Sequence, residues 1–349
     1  YAYGVGDAGV ENLSTVLDQN SLFLSSRLQW DSFFFSAGVR GEKESYKIDI
    51  ASQPLVPFPD STIEALGWEY REEQEALLPS FITGKSFFDE KLDLMVAWSR
   101  TVARPTFWEF LPTTSVDQST GIVRRGNVAL DRTEITNFDI SATLRPTEDL
   151  VFRTSLFHKD LDRPLVQVFS GDGIIYRDST ASAVAGQARD YTATLSGIEL
   201  EAEVNNLGPF SLKGNFTYID ATLNYFFEGG GVVSPVTSQL PYQPAYIANA
   251  TLGYEHKPWG LIANLVFNFN GEYPTILQES EDQSEVTREA LATWDLIVSK
   301  KMETDMADWT LRCGVKNLLE ADDRFVYDGR TYSNDTIGRT FFMETEIAF

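Results

Sequence analysis

The sequence predicts an all-β fold: an antiparallel sheet curled into a membrane-spanning barrel, with short turns at one end and long loops at the other. Three observations predict it. The chain reads with a period of two, its connections alternate short and long, and its aromatic residues gather near predicted strand ends. In residues 198–204, Ile198, Leu200, Ala202 and Val204 alternate with Glu199, Glu201 and Glu203. In 138–144, Phe138, Ile140, Ala142 and Leu144 alternate with Asp139, Ser141 and Thr143. Leu261, Ala263, Leu265, Phe267 and Phe269 repeat the pattern against Asn264, Asn268 and Asn270, and Phe341, Met343, Ile347 and Phe349 repeat it against Glu344 and Glu346. Successive side chains of a strand point to opposite faces, so each segment has one apolar and one wet face.

About thirteen strands follow in order, near 13–30, 31–50, 74–87, 90–105, 133–145, 149–170, 190–205, 209–228, 242–256, 259–273, 289–302, 308–327 and 337–349. Residues 62–78 come nearest to helical periodicity and, with Gly67 among them, read at most as a short helix in a loop. Short turns fall at Trp30-Asp31, Phe88-Asp89, Pro146-Thr147, Asn206-Leu207, Lys257-Pro258 and Thr304-Asp305. Longer polar connections fall at 51–73, 106–132, 171–189, 229–241, 274–288 and 328–336, and the two kinds alternate along the chain. A membrane barrel explains this: tight turns lie on one side, long loops on the other, apolar residues face lipid and polar ones the lumen. Its closed sheet satisfies every backbone group in lipid. A large soluble β protein would also alternate, but it gives no reason for the loop lengths. Trp98, Trp259, Trp294 and Trp309 lie near predicted strand ends, and Tyr246 and Tyr254 near the two ends of one apolar face, as rings at the two membrane interfaces would.

Composition removes several functions. Asp and Glu number 51 against 28 Lys and Arg, for a formal net charge of −23, which argues against nucleic acid as a partner because phosphates demand a basic face. Cys313 is the one cysteine, which excludes an intrachain disulfide and a cysteine zinc site, and two histidines make no metal cluster. No run approaches the length of a transmembrane helix.

The ordered motifs resemble those of TonB-dependent outer-membrane receptors. The last strand, GRTFFMETEIAF, ends in Phe349, like the assembly signal of bacterial outer-membrane barrels. Residues 77–112 resemble a family stretch through Ser99, Arg100, Thr101, Ala103, Arg104 and Pro105. Then come Gly126, Asn127, Leu130, Glu134 and Asn137, Phe157 and Lys159, Gly197-Ile198-Glu199, Leu240-Pro241 with Pro244, Asn317-Leu318, and Gly338-Arg339. The resemblance runs from about residue 20 to 349. It implies that residues 1–349 are the C-terminal part of a barrel of about 22 strands, with the N-terminal plug, the TonB-contacting box and the first strands outside this chain and residues 1–12 in an outer loop. It implies the bacterial outer membrane as location, lipid and lipopolysaccharide as surroundings, and energy-coupled uptake of a large scarce nutrient: ferric siderophore, cobalamin, haem or oligosaccharide. The TonB–ExbB–ExbD complex would act through the plug. Arg100 and Arg104 would pair with wall acids, and Glu199, Glu201, Glu203, Glu344 and Glu346 would meet plug arginines or water.

No catalytic constellation stands out, so an enzyme is not expected. Acid pairs such as Asp322-Asp323 follow from composition, and His158 and His256 read as interface or turn residues. Ligand candidates are the loop residues Phe107, Trp108, Phe110, Arg124, Arg125, Tyr176 and Arg177. Aromatics beside arginines suit stacking on, and bidentate capture of, an anionic aromatic chelate; the same set suits a sugar. No cofactor is expected beyond a possible loop Ca²⁺ at 279–285, with iron only as cargo. A passive porin-like barrel and a secreted acidic glycan-active enzyme are the two alternatives.

Overall fold

The computed structural model describes residues 13–50, 69–106, 109, 114–116, 123–127, 130–169, 174–178, 180–181, 189–229, 232–278, 284–303 and 307–348. Strands are numbered β1–β24 in chain order. Thirteen form one continuous antiparallel wall: β1 (Leu13–Trp30), β2 (Phe33–Ile50), β3 (Glu69–Phe87), β4 (Leu92–Ala103), β7 (Thr133–Thr147), β8 (Leu150–Asp162), β13 (Thr192–Leu207), β14 (Phe210–Gly229), β16 (Tyr246–His256), β17 (Leu261–Asn270), β20 (Leu291–Glu303), β21 (Asp308–Lys316) and β24 (Thr340–Ala348). Each pairs with the next, β15 (Val232–Gln239) adds to β14, and β1 and β24 form the two edges among the described residues. A second sheet is built wholly from the long connections: β5 (Thr114–Val116), β6 (Val123–Arg125), β9 (Val166–Phe169), β10 (Ile174–Asp178), β18 (Tyr273–Gln278), β19 (Val286–Arg288), β22 (Asp323–Tyr327) and β23 (Arg330–Asp335). A small pair, β11 (Thr180–Ala181) with β12 (Arg189–Asp190), completes the set.

The wall has the expected thirteen strands and alternating connections. Three expected strands are too long. The stretch 149–170 breaks after Asp162, where Arg163 takes φ 56° and Val166–Phe169 join the second sheet. The stretch 308–327 breaks at Asn317 (φ 52°), and 259–273 breaks after Asn270. Residues 69–73, expected in the connection 51–73, are strand, and so are 74–78, which the expected strand 74–87 shared with a weak helical periodicity over 62–78. They pair in full register with the upper half of β2, Glu75 opposite Lys43 and Leu77 opposite Gly41. A long partner strand overrides weak local preference.

Register explains the two faces. Directly opposed residues form rows across the wall: Ile140–Leu156–Ile198–Tyr218–Tyr246, then Ala142–Thr154–Leu200–Phe216–Ala248–Phe269, then Leu144–Phe152–Ala202–Gly214–Ala250–Phe267–Trp294. Leu156, Leu200, Phe152, Phe216, Leu252 and Phe341 are exposed, so this apolar belt is the lipid face. Aromatic pairs mark its edges, Tyr218 with Tyr246 above and Phe210 with Tyr254 below, each with centroids 5.3 Å apart. Tyr246 to Tyr254 spans about 27 Å of strand at ~3.4 Å per residue, the run a tilted membrane strand needs. Trp98 lies mid-strand but at the upper edge, opposite Phe138.

The other face carries the row Thr143–Arg153–Glu201–Asn215–Asn249–Asn268–Thr293. Here Arg153 pairs with Glu201, Lys213 with Glu203 at 2.6 Å, and Arg312 with Glu344 at 2.7 Å. The wall neutralises three of the acids that the sequence left for plug arginines or water. Gly197 sits on this face because a Cβ there would overlap the Phe157 ring and the Tyr218 carbonyl. Phe157 is its direct cross-strand partner, so the ring covers the glycine backbone.

The inner face changes character above the belt. On β13 and β14 the carboxylate parity continues as Leu195, Ala193, Ile219, Ala221, Leu223 and Tyr225, all buried. Val166 and Val168 of β9 and Leu277 of β18 pack against them in one cluster. The connections that carry β9 and β18 therefore fold inward and cover the lumen side of β13 and β14. Fully burying a large apolar side chain contributes roughly 1.5–3 kcal/mol, so Leu223 and Leu277, both at 0% exposure, hold this cover firmly.

Candidate functional site

The candidate site is the second sheet and the feet that seat it. The connection after β4 leaves through Arg104, whose guanidinium pairs with Glu42 and Glu44 on the inner face of β2. Both carboxylates are buried, and Arg40 closes on Glu42 at 2.5 Å. The same connection returns through Asp131, which pairs with Arg163 and accepts a 3.2 Å bond from the Gln74 amide of β3. Arg132 donates to the Glu75 carbonyl at 2.6 Å. Arg100 pairs with Glu134 of β7 at 3.1 Å. Arg100 and Arg104 therefore both meet wall acids, and Arg104 fastens the loop. Pro105 follows it directly; Gly126 is buried and Asn127 donates its backbone N–H to Glu109 at 2.8 Å.

The second sheet brings together candidates that lie fifty residues apart in sequence. Its strand order from one edge is β23-β22-β19-β18-β9-β10-β6-β5. β6 and β10 pair in parallel, Arg124 opposite Ile175 and Arg125 opposite Tyr176, while Arg177 stands opposite Gln167 of β9. Four candidates thus share adjacent strands of one sheet, with Arg124 and Arg177 offset from the Arg125–Tyr176 row. Phe107, Trp108 and Phe110 lie outside the described residues, as do Phe349 and residues 279–283 of the Ca²⁺ expectation.

Sequence reading missed a second group beside them. Tyr242, in the connection before β16, donates its hydroxyl to Gln167 at 3.1 Å. Its ring lies 6.2 Å from Tyr273 of β18. The Arg288 guanidinium sits 5.5 Å over the Tyr273 ring, donates to its hydroxyl at 2.9 Å, and grips both oxygens of Asp323 at 2.6 and 3.0 Å. The Asp323 hydrogen bond holds the Arg288 pKa above its ordinary value. The Leu240-Pro241 motif was the one sequence signal near this group.

Asn317, Leu318, Gly338 and Arg339 form a structural knot rather than a binding site. Asn317 is buried; its amide donates to the carbonyls of Ala321 at 2.8 Å and Gly338 at 3.1 Å and accepts from the Ala321 N–H at 2.9 Å. Its own N–H donates to Asp295 at 2.8 Å. Leu318 donates to the Trp294 carbonyl at 2.7 Å, and Arg339 donates to the Leu318 carbonyl at 2.9 Å. Among the described residues no group of three His, Cys, Asp or Glu is placed to hold a metal ion.

A family model, TonB dependent receptor-like β-barrel, matches residues 2–318. The chain belongs to the TonB-dependent receptor family. Its members are transporters of the bacterial outer membrane, and this chain carries β-barrel wall of that membrane. The siderophore receptor PiuA from Acinetobacter baumannii is similar at 11% identity and TM-score 0.66, over 96% of this chain and 44% of that one. The ferric yersiniabactin uptake receptor FyuA from Yersinia pestis is similar at 16% identity and TM-score 0.61, over 97% and 47%. The copper transporter OprC is similar at 14% identity and TM-score 0.66, over 96% and 48%. At these identities the likeness shows the fold. The chain spans less than half the length of each of these three receptors. No curated protein matches its sequence.

Proposed function

We propose that the receptor containing this barrel captures a large scarce nutrient on its inward-folded loop sheet and imports it with energy relayed from TonB. A ferric siderophore is the foremost substrate; cobalamin, haem and oligosaccharide are the other classes. One observation carries the reading: the sheet built from the long connections is seated on the lumen face and brings Arg124, Arg125, Tyr176 and Arg177 onto adjacent strands. Arginines among aromatics capture carboxylate or catecholate oxygens and stack on planar groups. The wall residues are the conduit, a plug would fill it, and the TonB–ExbB–ExbD complex would move that plug. Solved relatives named for siderophore or copper transport support the class. The test is uptake of radiolabelled iron chelates by cells carrying or lacking the receptor, with and without a protonophore. Receptor-dependent uptake abolished by the protonophore is expected. Uptake that persists without a proton gradient would point instead to passive, porin-like passage.

A further inference from the structure

We propose that Tyr242 is an aromatic platform that selects ring-bearing ligands, an inference that rests on the uptake reading above and adds a substrate preference to it. Tyr242 follows Pro241 and holds φ at +61°. Proline followed by a positive-φ residue is the arrangement of a type II turn, whose third position ordinarily takes glycine or asparagine. A bulky aromatic there is a true backbone outlier and is strained. Glycine would make the turn without that strain, so the ring has a use that offsets it.

The turn itself is well fastened without the ring. Leu240 is buried in the apolar cluster and its N–H donates to Ala221 at 3.1 Å, and the Tyr242 N–H donates to the Pro274 carbonyl at 3.0 Å. Tyr242 nevertheless stays 46% exposed. It is braced on two sides, by Gln167 at its hydroxyl and by Tyr273 at its flank, while Arg288 and Asp323 fix Tyr273 in turn. A strained, braced and half-exposed aromatic among the loop strands fits stacking against a planar ring of a bound molecule. Because Asp323 neutralises Arg288, the group offers a π-face and little net charge. It therefore distinguishes an aryl chelate from an aliphatic one of equal charge. The other aromatic at positive φ among the described residues, Phe88 at 55°, lies on a short turn at the opposite end of the wall, more exposed than Tyr242 and beside the ring of its chain neighbour Phe87.

The test uses the full-length receptor in detergent with two iron(III) complexes, of 2,3-dihydroxybenzoate and of citrate. Binding is followed by equilibrium dialysis, and thermal unfolding is recorded for each variant. Tyr242→Gly is expected to weaken the aryl complex about tenfold, the scale of one lost aromatic contact. It should leave citrate binding unchanged and keep or raise the melting temperature. Tyr242→Phe should bind the aryl complex like the wild type. A lower melting temperature for Tyr242→Gly, or equal loss of both complexes, would make the tyrosine structural and overturn the platform. A wild-type receptor that binds citrate alone would overturn the aryl preference and leave the uptake reading standing. One that binds neither would overturn the ferric reading on which the platform rests.

Discussion

Arginine placed at Ala250 measures the assignment of the lipid face directly. Ala250 stands midway between Tyr246 and Tyr254 on β16, in the row Phe152–Ala202–Gly214–Ala250–Phe267. Each tyrosine is about 14 Å away along the strand at ~3.4 Å per residue, or about 10 Å in depth at a tilt of about 40°. The position is therefore the bilayer midplane, where a lipid-facing arginine costs about 2–4 kcal/mol. That is a ~30- to ~1000-fold shift in the folding equilibrium. Asn268 lies at comparable depth on the opposite face, in the Asn215–Asn249–Asn268 row. Asn268→Arg should cost well under half as much, because its guanidinium enters the polar lumen. Urea titration of the full-length receptor refolded into phosphatidylcholine vesicles reads both. Equal penalties for the two, or a larger one for Asn268→Arg, would refute the face assignment and the barrel argument built on it.

Other consequences are as direct. Leu277→Ala, at the fully buried contact between the loop sheet and the wall, should lower stability by about 2–5 kcal/mol and raise protease cleavage in the long connections while the wall stays intact. Gly197→Ala should slow or abolish assembly, scored by heat-dependent gel mobility, because the new methyl meets Phe157 and the Tyr218 carbonyl; Phe157→Ala in the same chain should partly restore it. Asn317→Ala should cost at least ~3 kcal/mol in urea titration, since it leaves the Ala321 N–H and the Gly338 carbonyl without their partner. Above the belt, the hydrogen bond and charge of Lys43 hold the Glu73 carboxyl below its ordinary range. Its contribution to stability is thus complete above the ordinary carboxylate range and disappears as pH falls through the lowered value. Melting curves at low salt should show a smaller acid-induced loss for Glu73→Gln than for the wild type, and the difference should vanish in high salt.

Most of the wall was legible along the chain. Period-two alternation is a local property, and the lipid belt repeats it on every strand, so Ile198 to Val204 and Phe341 to Ile347 could be placed by inspection. Turn and loop lengths are local as well, and thirteen strands emerged in their observed order. The ends of the strands were less visible. Arg163 and Asn317 end strands by turning left-handed while apolar residues continue beyond them, and nothing in the alternation of 149–170 marks the break. Residues 69–73 read as part of a loop because what makes them strand, pairing with the upper half of β2, is not visible in their own local pattern.

The sequence by itself determined the all-β class, the number and order of the wall strands, and which side of each faces lipid, because each follows from side-chain alternation within a few residues. Only the tertiary structure decided that four of the long connections join into one sheet, that this sheet turns inward onto Leu195, Leu223 and Tyr225, and that Tyr242, Tyr273 and Arg288 meet. Those facts depend on register between segments far apart in sequence and on burial that exists only after the strands have paired. The lumen-side acids show the same division. Their alternation was plain in the chain, while their neutralisation by Arg153, Lys213 and Arg312 is a matter of which strand lies next to which.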